Sequence, residues 1–335
     1  MSRTLLAART RVARAVTIAA VTAVGTFAAG GAAAAATPTG TAPGAPGAQS
    51  YLDTARKDCF GTARNDASKV WYTVADGVLS DVFSPNIEAT NVNTVQYLVT
   101  DGSSFSDLQQ RDMTYTVSSP DASGMVCRVT STDAAHHFKL ISDSITEPAR
   151  DSVVVQTTLV PSGQSTPSAL GRLRGLKVYV RYDATIDNSG GGGATNGGAN
   201  NATIDPASTA LISSDTTRPT GPYAAQVVGA LVANRPFAAE SSGFVGTASD
   251  GLNELDSYHR LAQSYRSADD GNVEQTALIR QQAGQPFELA LGFAPDASGA
   301  ITAAQTSAHT SFATTLSNYV SGWHSYDSGL HAAPS

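Results

Sequence analysis

Lysine is scarce in this chain. Of 21 basic residues only Lys57, Lys69, Lys139 and Lys177 are lysine. None of the four closes a Gly-rich turn ahead of Ser or Thr, so the phosphate cradle of a P-loop is excluded. Charge is scarce too, at 15% of residues, and the formal balance is -7. A chain of that sign does not attract phosphate backbones, which argues against nucleic-acid binding. Two cysteines are too few for a disulfide scaffold or a four-thiolate zinc site. No Gly-x-Ser-x-Gly elbow occurs, so an α/β-hydrolase nucleophile is not expected. What is plentiful is apolar: 41% of 335 residues, ample for a core and too much for a disordered chain.

Residues 1–36 read as a secretory signal peptide. Arg3, Arg9, Arg11 and Arg14 form a basic start, a stretch of Ala, Val and Ile follows, and Ala34-Ala35-Ala36 offers small residues for cleavage after Ala36. The alternative is an uncleaved membrane anchor. The Gly and Ala content makes the stretch only weakly apolar, which favours the signal. Residues 37–49 are rich in Pro, Gly, Ala and Thr and are expected to be a flexible leader. No second run of spanning length exists, so the mature chain is expected to be secreted and free of the membrane. In an oxidising compartment, Cys59 and Cys127 point to one disulfide; two separate buried thiols are the alternative.

The body of the chain alternates with a period of two. Leu176, Val178, Val180 and Tyr182 interleave with Lys177, Tyr179, Arg181 and Asp183. Phe287, Leu289, Leu291 and Phe293 do the same, as do Met113, Tyr115 and Val117. Such patterns predict strands with one buried face, in two packed antiparallel sheets. Two helices are expected. One runs through Leu252, Leu255, Tyr258, Leu261 and Tyr265. The other carries a stripe of Phe312, Leu316, Tyr319, Trp323, Tyr326 and Leu330. Ser189 to Gly198 is a Gly-rich, low-complexity segment.

Chemical motifs are sparse. Glycoside hydrolysis needs two carboxyl groups flanking one bond, and nothing local marks such a pair among the six Glu. His136-His137, placed on a strand, would face opposite ways and not share a metal. Asp269 to Glu274 has oxygen donors around Gly271 and is the weak calcium candidate, but it lacks EF-hand spacing and reads as a turn. No other metal or cofactor is expected. For sugar recognition the candidates are Trp71, Tyr72, Asn188 and Asn196, with Trp71 expected in the core from its place in a strand. An aldose-epimerase chemistry would need His136, His137 or His259 to converge with a Glu.

The order of segments resembles the N-terminal domain of bacterial glucoamylases and glucodextranases, glycoside hydrolase family fifteen. The likeness is carried by Lys69-Val70-Trp71-Tyr72-Thr73, Gly77 to Pro85, Tyr97 to Gly102 and Arg111-Asp112. It continues at Ile145 to Asp151, Asn188-Ser189-Gly190, Gly243 to Gly251, Gly271-Asn272-Val273, Glu288 to Phe293 and Trp323-His324-Ser325-Tyr326. The resemblance implies an all-β fold, an antiparallel β-supersandwich of the galactose-mutarotase-like type over residues 50–300. It also implies a linker helix over 301–335 that leads to an (α/α)6 catalytic barrel acting on α-glucan. Phe312, Leu316, Tyr319, Trp323 and Tyr326 would then face that partner domain. The chain reaches Ser335 ahead of any barrel helix, so the resemblance carries over no catalytic residue. Two departures stand out: relatives commonly pair aromatics where this chain has Phe83-Ser84-Pro85, and often place a Trp in the Gly-rich segment. The expected role is an accessory, carbohydrate-binding module, with a mutarotase-like enzyme or a stand-alone binding protein, its tail helix folded back on the sheet, as alternatives.

Overall fold

The computed structural model describes residues 37–48, 56–121, 123–188, 198–215 and 225–330. The expected signal peptide, its cleavage site after Ala36, Asn196 and most of the Gly-rich segment lie outside these residues. No helix among the described residues is long and apolar enough to cross a membrane.

The alternating patterns fold into two antiparallel sheets. The first holds β1 (Cys59–Thr62), β2 (Trp71–Ala75), β3 (Val78–Phe83), β4 (Thr90–Thr100), β5 (Ser106–Leu108), β10 (Lys177–Asn188), β14 (Ala239–Phe244) and β16 (Val273–Leu278). Their order is β1-β2-β3-β4-β10-β16-β14, with β5 beside β4. The second holds β6 (Thr114–Ser118), β7 (Cys127–Asp133), β8 (Phe138–Thr146), β9 (Ser152–Pro161), β11 (Asn200–Ile204), β12 (Leu211–Asp215), β13 (Val228–Ala233), β15 (Ser267–Gly271) and β17 (Pro286–Ala294). These run β15-β11-β12-β13-β17-β9-β8-β7-β6. This is an antiparallel β-supersandwich.

The main core lies between the sheets. Val178, Val180 and Tyr182 of the first meet Leu289, Leu291 and Phe293 of the second in one buried cluster. Each such side chain contributes about 1.5–3 kcal/mol by leaving water. Two tyrosines bolt the layers together through polar tips. Tyr72 Oη donates to the Ser144 carbonyl at 2.5 Å, and Tyr97 Oη lies 2.8 Å from Thr157 Oγ1.

Among the described residues five α-helices decorate the sandwich: α1 (Gln109–Asp112), α2 (Pro167–Arg172), α3 (Gly251–Tyr258), α4 (Ala297–His309) and α5 (Phe312–Gly329). The helix expected to reach Tyr265 stops at α3, because His259 turns left-handed at φ 56° and caps it. The tail is two helices where one was expected. In α4 the buried stripe is Ala300, Ala304 and Ala308, which lets the helix lie close on β13 and β17. A Cβ built on Gly292 of β17 would come within 2.5 Å of the Ala304 nitrogen.

The leader also departs from expectation. The Thr39 N–H donates to Ser264, and Ala42 N–H to the Ser267 carbonyl at 2.7 Å. Ala42 joins the main core, so this segment is fastened to the β15 edge. Backbone groups that pair with a strand edge fix even a Pro- and Gly-rich chain.

Candidate functional site

The outer face of the first sheet gathers the polar and aromatic side chains. Tyr72 and Val82 point into the core, so their neighbours Trp71 and Phe83 stand on the outer face. This reverses the expectation for Trp71: the strand's phase buries Tyr72 completely and leaves Trp71 half-buried. The registers pair Trp71 with Phe83, Phe83 with Thr90, and Thr90 with Asn188. Paired residues of antiparallel strands share a face, so Trp71 and Phe83 stand side by side in this row of registered residues, in which Thr90 is already buried. Asn188 is buried at its end, where Nδ2 donates to Thr185 Oγ1 at 2.9 Å. Ile87, in the connection from β3 to β4, is exposed. Of the sequence candidates, Trp71 thus stands on the outer face, Asn188 is buried and Tyr72 lies in the core.

Further along the same face lies a buried ion cluster that the sequence did not announce. The Arg181 guanidinium donates to both Asp250 oxygens at 3.4 and 3.2 Å and to Asp183 at 3.2 Å. Its Nε lies 3.8 Å from Glu274. Glu274 accepts from the Gly251 N–H and from Thr276 Oγ1, both at 2.8 Å. Burial raises the Glu274 carboxyl, Asp250 raises it further, and Arg181 pulls the other way, leaving it at about 8. Burial likewise raises Asp183 despite the same arginine. Asn93 Nδ2 donates to Asp183 at 3.2 Å, while its Oδ1 is out of solvent with no partner.

The cluster is closed. The side chains of Asp250 and Glu274 are 3% and 0% exposed. Asp250 also caps α3 through the Leu252 N–H at 2.9 Å. A protonated acid near neutrality suits proton transfer, but α3 is packed too tightly over this one to admit a substrate: a Cβ on Gly251 would meet Thr276 at 2.3 Å. The geometry pins α3 to β10 and β16. The visible signal was Arg181 and Asp183 alternating with Val180 and Tyr182. The pattern announced a polar face, not its burial beneath a helix from a distant stretch of chain.

A second cluster joins the ends of the two sheets. His136 Nδ1 lies 2.7 Å from Asp107 and 3.3 Å from Asp133, and the ring stacks on Phe105 at 3.6 Å between centroids. These three are the group among the described residues whose donor atoms lie close enough to hold a metal ion. Burial and the facing Asp133 push the Asp107 carboxyl up to about 6, His136 acting the other way. His136 and His137 are not on a strand as expected: the turn between β7 and β8 holds both, with His137 at φ 62°. The calcium candidate does not assemble. Asp269 and Asp270 are exposed on β15, and Glu274 is committed to Arg181. His259 does not approach a Glu; its Nδ1 lies 3.1 Å from Ser106 Oγ.

The tail stripe is turned inward. Phe312 and Tyr319 are buried with Ile145 and Val154 of the second sheet and with Val126 just ahead of β7, and Leu316 and Trp323 pack beside them. Tyr319 Oη donates to the Met125 carbonyl at 3.1 Å, and Trp323 Nε1 to that of Thr62 at 2.9 Å. Tyr326 remains 41% exposed, with Arg64 over its ring at 4.2 Å, and Leu330 at the end of the stripe is exposed as well. The side chains expected to meet a partner domain are largely engaged with this one, because an aromatic stripe finds the nearest uncovered apolar face.

Comparison with known proteins places this geometry. The family model described as glucodextranase, domain N, matches residues 42–328. A glucoamylase from Clostridium sp. (strain G0005) is 25% identical over 286 residues, which are 85% of this chain and 38% of that protein. The crystal structure of a bacterial glucoamylase complexed with acarbose superposes with a TM-score of 0.76 at 25% identity, covering 88% of this chain and 40% of that one. The chain therefore spans about two-fifths of the glucoamylases it matches.

Proposed function

We propose, from the premise that the chain belongs to the glucodextranase domain N family, that it is an exported accessory module of a glucoamylase- or glucodextranase-type system. It supports an (α/α)6 catalytic barrel and contacts α-glucan on the outer face of the first sheet. The observation that carries this reading is the family match across residues 42–328, within a chain that corresponds to 38% of a glucoamylase. The half-buried aromatic side chains of Trp71 and Phe83, side by side on that face, support the sugar contact, since glycan sites are built around an aromatic surface. The basic, Ala-rich start and the Cys59–Cys127 disulfide support export.

The test is binding and turnover by the purified chain. Maltooligosaccharides should retard it in affinity electrophoresis, and Trp71→Ala should weaken the retardation at least fivefold, an effect of about 1 kcal/mol. No glucose should appear. Release of glucose from maltooligosaccharide or dextran at enzyme-like rates would overturn the accessory reading. Unchanged retardation of Trp71→Ala would overturn the assigned face.

A further inference from the structure

A cleft of about 300 Å³ opens at the end of the sandwich where the chain leaves β13 and where β16 passes to β17. Its polar lining is Asn234, Arg235, Arg280, Gln281, Gln282 and Gln285. No carboxylate lines it, although the protein as a whole is acidic at -7. Neither arginine makes an ion pair with any described residue. Arg280 Nε donates to the Pro236 carbonyl at 3.1 Å, which anchors its stem, and buried Glu240 is the acid whose charge senses it. Gln281 Nε2 donates to the Leu176 carbonyl at 3.0 Å, while its Oε1 is out of solvent without a partner.

The walls are built. Asn234 N–H donates to the Glu288 carbonyl at 2.9 Å, Gly284 N–H to Leu159 at 2.8 Å, and Gln285 N–H to Gln282 at 2.9 Å. Phe287, which also lines the cleft, is buried and meets Tyr97 edge-on at 5.7 Å. The backbone at the site is therefore tied to the second sheet and to the core.

We propose that this cleft binds a saccharide bearing one oxyanion, a carboxylate or a phosphate ester. Guanidinium forks match planar carboxylate and phosphate oxygens through paired hydrogen bonds. Four amide side chains offer both donors and acceptors, the complement of sugar hydroxyls. A bare inorganic anion would use the arginines and leave the amides idle. A neutral sugar would leave two unpaired guanidiniums. This site is separate from the Trp71 row, so its ligand adds to α-glucan contact and does not depend on it.

The experiment titrates the full chain by calorimetry with glucuronate, glucose 6-phosphate, glucose and inorganic phosphate, at low and at raised salt. Glucuronate or glucose 6-phosphate, or both, should bind at least tenfold tighter than glucose and than inorganic phosphate, and raised salt should weaken them. The tighter of the two acids identifies the oxyanion. The double variant Arg235→Gln with Arg280→Gln should lose at least tenfold in that affinity while melting with the parent, since both side chains are exposed. Trp71→Ala should leave it intact. The proposal fails if neither acid binds, if inorganic phosphate binds as well as the sugar acids, or if the double variant binds them like the parent.

Discussion

Burial and the neighbouring Asp250 raise the Glu274 carboxyl to about 8, against an ordinary value of 4.5. Folding therefore takes up a proton at this residue. The stability that proton brings is complete below about pH 4.5 and is lost as pH rises through about 8. Glu274→Gln keeps an acceptor for Thr276 and removes the titration. The melting temperature of the parent should fall more steeply from about pH 5 to about pH 9 than that of Glu274→Gln. Parallel profiles by differential scanning calorimetry would show that Glu274 does not titrate as described. The residue scale is also where the sequence was least readable. Arg181 and Asp183 sit two apart and their alternation was plain. Their partner Asp250 lies 69 residues from Arg181, and nothing local says that α3 will cover all three.

Elements were easier to read when their apolar side was large. The stripe from Phe312 to Tyr326 was visible as a helix because bulky residues repeat at helical spacing. The stripe of α4 escaped notice because alanine marks a close approach without advertising an apolar face. That approach has a test. Gly292→Ala places a methyl 2.5 Å from the Ala304 nitrogen and 2.7 Å from the Ala300 carbonyl, both helix backbone. Since no flexible side chain can swing aside, α4 must lift, and denaturant unfolding should show a loss of about 1–3 kcal/mol. A second comparison separates the inward from the outward part of α5. Tyr319 is 1% exposed and Tyr326 41%. Tyr319→Ala should cost about 3–5 kcal/mol as a buried aromatic deletion. Tyr326→Ala should cost about 1 kcal/mol or less, the scale of an exposed contact with Arg64. Equal losses in urea unfolding would contradict the placement of α5.

For the whole molecule, the period-two runs were enough to indicate two packed antiparallel sheets, because alternation is set by the strand itself. Which strand borders which was carried by the order of segments, through likeness to a family, and by no local pattern. Cys59 and Cys127 show what that arrangement accomplishes. Cys59 belongs to β1, the short edge strand of the first sheet, and Cys127 opens β7 of the second. Their bond crosses from layer to layer with the Cα atoms 6.0 Å apart and closes a loop of sequence separation 68. Closing a loop of that length restricts the unfolded chain by about 4 kcal/mol in the chain-entropy model. Two neighbours lean on the same edge: Trp323 donates to the Thr62 carbonyl, and Gly61 backs onto the Tyr72 ring. Cys59→Ser with Cys127→Ser should therefore lower the unfolding free energy by about 4 kcal/mol. Amide exchange should quicken first in β1 and α5, while β9, β10 and β17 at the centre of the sheets keep their protection. An unchanged unfolding midpoint in the double variant would mean that the two sheets hold this edge without the disulfide. Uniform loss of protection would mean that β1 and α5 are not a separable unit but part of the central core.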